Sequence, residues 1–289
     1  MPLAQMGLGL AALGRPGYIN LGHGDDVRDP SVEAMERTAH AVLDAAYAGG
    51  VRWLDAARSY GRAEDFLASW LRSRRPDDVV VSSKWGYRYT ADWRVDAEQH
   101  EVKDLSAGHL RAQWLETREL LGGWLGVYQI HSATLESGVL DDAEVRAELD
   151  SLRAEGVRIG LTVTGAEQAA TIDRALATGG FDTVQATWNL HERSAEESLG
   201  RAHAEGLQVL VKEALANGRL AGQDAVALAA ALWRPWADVV LSGAATVGQL
   251  ESNLAALEVA WDDDLEGELS GLVEEPAAYW ATRAELPWN

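Results

Sequence analysis

The sequence predicts an α/β protein: one closed (β/α)8 barrel of the TIM type, shortened between its seventh and eighth strands. Three observations carry this reading. Eight short apolar stretches rich in valine each precede a stretch with helical periodicity. The turns between them lack hairpin chemistry, so the strands run parallel with helices as crossovers. A length of 289 residues suits eight such units in one domain, 1–289. An open doubly wound sheet is the runner-up, but no Gly-x-Gly-x-x-Gly links a strand to a helix, as its dinucleotide site would require.

Residues 5–12 are apolar and glycine-rich and read as the first strand. The Pro-, Gly-, Asn- and Asp-rich stretch 14–30 is a loop, and Ser31 is placed to cap a helix reaching about Ala48, which Gly49-Gly50 ends. Residues 51–55 form a strand closing on Asp55, and Gly61 releases the chain into a helix over 62–71. The valines of 79–84 mark a third strand, 85–106 is long and irregular, and 107–121 is helical. Strand four is 126–131. The alternation then continues with helix 142–155, strand 158–163, helix 166–177, strand 183–187 and helix 195–205. Strand 208–212, helix 224–233, strand 239–242 and helix 247–257 complete it, and the tail from Asp262 is acidic and then aromatic.

Composition narrows the function. Hydrophobic residues make up 47% and charged residues 24%, as in water-soluble globular chains. The absence of cysteine excludes disulfides and thiolate-held metals and suits a reducing cytoplasm. A net charge of −20 argues against nucleic acid and anionic membrane as partners, since both are polyanions. The N-terminus lacks the basic and apolar regions of a signal peptide, and the longest apolar run, 225–233, is too short to span a bilayer. The expected location is the cytoplasm.

In a parallel barrel all strand C-termini open on one face. Strand two ends at Asp55, strand three at Lys84 and strand four at His131, with Tyr60 in the loop after strand two. A carboxylate, an ammonium, an imidazole and a phenol therefore meet at one mouth. A phenol of pKa near ~10 is a weak acid unless a cation stabilises its anion. On this reading Lys84 lowers the pKa of Tyr60, Asp55 holds Lys84, and His131 orients a substrate oxygen. Such a group protonates a carbonyl oxygen as negative charge develops on it.

These four residues, in their frames, resemble the catalytic tetrad of the aldo-keto reductases. The frames are Ala48-Gly49-Gly50-Val51-Arg52-Trp53-Leu54-Asp55 with Tyr60-Gly61, then Ser82-Ser83-Lys84, then Tyr128-Gln129-Ile130-His131. Later frames are also similar: Leu152-Arg153-Ala154-Glu155-Gly156-Val157-Arg158, Val184-Gln185-Ala186-Thr187-Trp188-Asn189, and Gly243-Ala244-Ala245-Thr246 with Gln249 and Asn253. The resemblance implies NADPH bound in extended form and reduction of an aldehyde or ketone, or the reverse oxidation, with Tyr60 as general acid. It implies cofactor contacts from Gly9, Thr162 and Gln185, and a ring stacked by Trp188. Lys212, Leu215 and Gly218 would lie along the pyrophosphate. Gly243, Ala244, Thr246, Gln249 and Asn253 would hold the adenosine end near a helix N-terminus, where N–H groups favour phosphate. Trp85, Tyr87, His100 and Trp280 would face substrate, in a pocket lined by the loop after the first strand, by 85–91 and by the tail with Tyr279 and Trp288, and with Glu101 beside His100 on the same face. The aromatic and acidic lining expected there suits a neutral or cationic, partly apolar carbonyl compound or alcohol.

The departures from the family pattern are specific. Thr162 and Val163 stand where serine and asparagine are usual. Gly243, Ala245 and Gln249 stand where cations commonly grip the 2′-phosphate, so NADH stays open beside NADPH. Only 221–224 remains where relatives carry a longer segment over the cofactor. That keeps a second function open: a lyase, cyclase or isomerase that retains the tetrad for proton transfer. A nucleotide-sensing binding subunit is the third. Among lesser candidates, His23-Gly24-Asp25-Asp26 reads as a solvated loop rather than a metal site, His191-Glu192 as a loop on the catalytic face, and 262–264 as a solvated helix start. No metal site is expected.

Overall fold

The computed structural model describes residues 2–289. Its strands are β1 (Gln5–Gly9), β2 (Trp53–Asp55), β3 (Val80–Trp85), β4 (Tyr87–Tyr89), β5 (Glu101–Lys103), β6 (Leu125–Ala133), β7 (Arg158–Val163), β8 (Thr183–Thr187), β9 (Gln208–Lys212) and β10 (Val239–Ser242). Eight of them close into a parallel barrel in the order β1-β10-β9-β8-β7-β6-β3-β2, with β2 returning to β1. β4 and β5 pair antiparallel outside the barrel. This hairpin lies in the stretch read from sequence as irregular. Its strands are only three residues long, too short for alternation to show.

The helices are α1 (His23–Asp26), α2 (Val32–Ala48), α3 (Ala63–Arg74), α4 (Ala107–Leu121), α5 (Ala143–Ala154), α6 (Gln168–Thr178), α7 (Glu196–Ala204), α8 (Asp224–Leu232), α9 (Val247–Leu254), α10 (Asp263–Leu269) and α11 (Pro276–Ala284). Their starts follow local chemistry. The side chains of Ser106, Asp142, Thr246 and Asp262 accept bonds from first-turn amides, which have no partner within the helix. Ser31 holds the N-cap position of α2 but makes no side-chain cap. Its amide instead donates to Asp29 Oδ1 (2.9 Å). α8 is apolar all round and accordingly buried from Ala227 to Leu232.

Side chains alternate in and out along each strand. Trp53, Val127, Leu210, Val239 and Leu241 fill the barrel interior, and the larger core lies between barrel and helices. The same parity corrects two expectations. Lys84 points inward, so its neighbour Trp85 points outward and is fully buried in the outer core. Gln185 and Thr187 point inward, so Trp188 points outward. Trp188 packs edge-on to Trp236, lies under Arg234, and donates through Nε1 to Glu196 (3.2 Å). Neither tryptophan reaches the mouth of the barrel.

Candidate active site

Asp55, Lys84 and His131 meet at the C-terminal end of the barrel because β2, β3 and β6 are neighbours in it. Asp55 is 2% exposed and Lys84 1%, and they form an ion pair. Lys84 also donates to the Ala56 carbonyl (2.9 Å). Asp55 Oδ1 accepts from Ser82 Oγ (2.6 Å), Gln129 Nε2 (3.2 Å) and Gln185 Nε2 (3.3 Å). A buried charge persists only when paired and hydrogen-bonded in this manner.

Tyr60 leans over this pair, with the Lys84 ammonium 4.9 Å from its ring centre. Its hydroxyl lies 3.4 Å from His131 Nε2, and Ser59 Oγ lies 3.4 Å from His131 Nδ1. The edges of Tyr60 and Tyr87 meet the imidazole. Burial, then the field of Lys84, pushes His131 well below the usual histidine range, so it is neutral at pH 7. Burial raises the phenol of Tyr60 well above its ordinary value, and Asp55 adds to the rise. Lys84, expected to act on this phenol, is paired with Asp55 beneath its ring.

Tyr60 is placed by a close backbone approach. A Cβ on Gly14 would sit 2.2 Å from the Tyr60 carbonyl oxygen, so only glycine lets the loop after β1 lie against it. The Gly14 carbonyl accepts from the Arg62 amide (2.7 Å), which ties the two loops together.

A cavity of about 250 Å3 runs from Asp55, Tyr60 and His131 past Gln185 and Lys212 to Gly243, Gln249 and Asn253. Gly9, Thr162, Leu215, Gly218 and Ala244 line it too, as do Ala221 and Asp224 of the shortened segment. Several expected residues stand elsewhere. Thr246 caps α9 and lines a second cavity with Asp25, Asp26 and Asp29. His100 stacks on Trp288 at 4.0 Å, so it forms roof rather than wall. Tyr87 abuts His131, and Trp280 lies behind the wall with Lys212 and Arg283 near its ring. His191 Nδ1 faces the Leu272 carbonyl (2.9 Å), and Glu192 is buried as a loop brace to Ser194. His23 is fully buried beside Tyr18, not solvated.

Glu101, Glu213 and Asn217, which fall in stretches expected at this face, line the cavity, and so do Arg15, Tyr18 and Arg283, which sequence reasoning did not single out. They sit in loops and the last helix, where no periodicity marks them. Glu213 takes two bonds from Arg283 (2.5 and 2.8 Å) and faces Lys212 at 3.8 Å. Burial opposes its charge, but Arg283 and Lys212 hold it down to about 2. Burial lowers Lys212 to about 8, against the pull of Glu213. Glu213, Ala216 and Asn217 have φ of 56°, 48° and 54°, so this short loop carries backbone strain beside the cavity. The signal available in sequence was the brevity of 213–224 itself.

At the far end, Gln249 Oε1 accepts from the Ala245 amide (2.8 Å), and its Nε2 donates to Asp26 Oδ2 (2.8 Å). A carboxylate of the chain thus stands at the N-terminal turn of α9.

A profile of the Aldo/keto reductase family matches residues 5–226. A D-threo-aldose 1-dehydrogenase of a Pseudomonas species is 26% identical over 204 residues, covering 64% of this chain and 62% of its own length. The chain therefore spans less than two thirds of that relative. Two solved structures share the fold. One is an aldo-keto reductase of Bacillus halodurans in its holo form, with TM-score 0.73, 19% identity, and 94% and 92% of the two chains covered. The other is the glycerol dehydrogenase of Gluconobacter oxydans, with TM-score 0.70, 21% identity and the same coverages.

Proposed function

The chain belongs to the aldo-keto reductase family, and from that premise we propose that it is a nicotinamide-dependent oxidoreductase interconverting a small carbonyl compound and its alcohol. The observation that carries the reading is the convergence of Asp55, Tyr60, Lys84 and His131 at one end of a cavity. That cavity continues as a trough toward α9.

The cavity wall fits a dinucleotide. Asn217 Oδ1 is buried there without a partner and suits a hydroxyl donor. Nothing lies within 4 Å of a Cβ placed on Gly243, so a ligand can approach that backbone closely. Gln185 at the reacting end, Lys212, Leu215 and Gly218 in the middle, and Gly243, Ala244 and Asn253 at the far end would hold it. Thr162 lines the trough but already accepts from the Ser132 amide (2.7 Å), so it serves the wall first. The bound cofactor supplies the hydride.

The chain's own residues do the rest. The Tyr60 hydroxyl donates its proton to the carbonyl oxygen as that oxygen gains negative charge. Neutral His131 donates one ring N–H toward the same oxygen, which fixes the carbonyl. The Lys84–Asp55 pair supports the tyrosine from below. Trp288, His100 and Tyr18 roof the mouth and exclude water. The lining pairs Arg15 with Glu101 and Arg283 with Glu213, which suits an uncharged or cationic, partly apolar substrate. The relatives are dehydrogenases of an aldose and of glycerol, and polyhydroxylated carbonyl compounds fit such paired donors and acceptors.

A second reading keeps the fold and the proton chemistry without hydride transfer. Glu213, which already engages Arg283 and Lys212 in the trough, favours it, since an anionic cofactor competes with that carboxylate. Titration of tryptophan fluorescence with NADPH and with NADH separates the two. Quenching at micromolar cofactor, with oxidation of the cofactor by a panel of aldehydes and ketones, supports the redox reading. No quenching up to millimolar cofactor sinks it.

A further inference from the structure

We propose that Lys212 is an amine nucleophile that captures small uncharged aldehydes as a reversible imine, an activity separate from hydride transfer. The proposal rests on the reading of this cavity as a carbonyl site, and it needs no cofactor. Of the 25 lysines and arginines in the chain only three are lysines: Lys84, Lys103 and Lys212. Each is held differently. Lys84 is buried and paired with Asp55. Lys103 is exposed on β5 and donates to the Ser132 carbonyl (2.6 Å). Of the three, only Lys212 lines the cavity.

Strand parity puts it there. On β9, Leu210 fills the barrel interior and Val211 the outer core, so Lys212 turns inward again. Its partner in register on β8 is Thr187, and its Nζ donates to Thr187 Oγ1 (2.9 Å). That hydroxyl in turn donates to Glu213 Oε2 (3.2 Å). Glu213 is the carboxylate beside the amine, at 3.8 Å, beyond hydrogen-bond reach. Both of its oxygens already accept from Arg283 (2.5 and 2.8 Å). Two cations thus share one carboxylate, and the guanidinium holds it. Lys212 is left bonded to a neutral hydroxyl, with its side chain 16% exposed.

A desolvated lysine beside another cation gives up its proton readily and becomes a nucleophile. Burial brings Lys212 to about 8, so roughly a tenth of it is neutral at pH 7, against fewer than about one in a thousand for a lysine in water. The neutral amine attacks the carbonyl carbon. The C–N bond forms, the π pair of the carbonyl moves to oxygen, and one N–H proton passes to that oxygen, giving a carbinolamine. The second N–H proton and the carbinolamine hydroxyl then leave as water, and the C=N bond remains. Both amine protons and the carbonyl oxygen end in one water, so nothing is oxidised or reduced. Tyr60 and His131 line the same cavity and can relay these protons. An imine draws electrons from the adjacent carbon, which is the electron sink that a lyase or isomerase on this barrel would use.

The test incubates the full chain, without cofactor, with propanal and sodium cyanoborohydride at pH 7 and maps the adducts over time by peptide mass spectrometry. Cyanoborohydride reduces C=N to a stable secondary amine, so each imine is recorded where it forms. Lys212 should be propylated at least about tenfold faster than exposed Lys103. Glu213→Gln removes the carboxylate and should speed Lys212 at least about threefold. Arg283→Met frees Glu213 to pair with Lys212 and should slow it by at least about the same factor. Lys103 serves as the reference in every chain, and the comparison within wild type stands without either variant. Absence of an adduct at Lys212, a rate no greater than that of Lys103, or a Lys212 rate that the two variants do not move in these opposite directions overturns the proposal. Failure of the redox reading shows separately, as a chain that forms the Lys212 adduct and transfers no hydride. Failure of the proposal alone shows as hydride transfer by a chain in which Lys212 stays unlabelled.

Discussion

Replacing Lys84 with methionine separates what the buried ion pair does for the fold from what it does for chemistry. Asp55 and Lys84 are 2% and 1% exposed. The substitution keeps the volume of the stem but leaves Asp55 with only Ser82, Gln129 and Gln185, all neutral donors. The Ala56 carbonyl loses its donor as well. Breaking a buried pair in this way costs about 3–5 kcal/mol. For 289 residues the unfolding entropy near the midpoint is about 0.6 kcal/mol per degree, so Tm should fall by about 5–8 °C. In the variant the stranded carboxyl of Asp55 gains a raised pKa, so stability returns as pH falls and the gap to wild type narrows in mild acid. The double variant Asp55→Asn/Lys84→Met removes both charges and should recover more than half of the loss. Urea denaturation of all four chains at pH 7 and pH 5 measures the cycle. A Lys84→Met chain within about 1 kcal/mol of wild type would refute the reasoning, as would a double variant whose loss is the sum of the two single ones.

Three further outcomes are expected. Gly14→Ala, whose Cβ would meet the Tyr60 carbonyl at 2.2 Å and Ala63 Cβ at 2.5 Å, should cost about 1–3 kcal/mol by urea denaturation. It should also lower kcat more than KM, and unchanged turnover would mean the loop yields without moving Tyr60. Wild type should discriminate at most about tenfold, or roughly 1.4 kcal/mol, between NADPH and NADH. Asp26→Asn should favour NADPH a few-fold. Gln249→Arg should tighten NADPH more in that background than alone, where Asp26 captures the new cation. Fluorescence titration decides this, and a wild-type preference for NADPH of a hundredfold or more contradicts it. Finally, His23 and His131 are held below the ordinary histidine value of about 6.5 by burial. The unfolded chain therefore binds more protons below pH 6.5. Stability is fully present above that pH and falls by about 1.4 kcal/mol per pH unit per histidine below it, until each folded pKa is reached. Calorimetry of wild type and His23→Gln between pH 7.5 and 5 tests the sign, and a flat profile would exclude it.

The barrel was legible because parallel strands buried on both faces leave continuous apolar runs, each closed by a glycine or a cap. The meeting of Asp55, Lys84 and His131 was legible because all three lie at or near the C-terminal ends of strands, where position along the chain fixes position in space. Parity was the weak point. Trp85 and Trp188 follow inward-facing residues by one step and so belong to the outer core, which a frame read without strand registers does not reveal. The loop after β1 and the aromatic tail were expected at the pocket, but the contacts that join them into a roof were not legible. Arg15, Glu101 and Trp288 are far apart in the chain and meet only through loop closure, and neither periodicity nor local chemistry predicts such contacts. Asp26 escaped for the same reason: 223 residues separate it from Gln249.

The central claim is that hydride moves to a carbonyl carbon while Tyr60 supplies the proton. Its most direct measurement uses NADH and NADPH deuterated at C4 of the nicotinamide, in single-turnover reactions of wild type and Tyr60→Phe with a carbonyl compound selected from the panel. Both chains should quench their tryptophan fluorescence with the cofactor. Wild type should return an alcohol carrying deuterium at the former carbonyl carbon, and Tyr60→Phe should slow its formation at least about a hundredfold. Bound cofactor with no deuterium in any product, or near-wild-type transfer in Tyr60→Phe, would contradict the account.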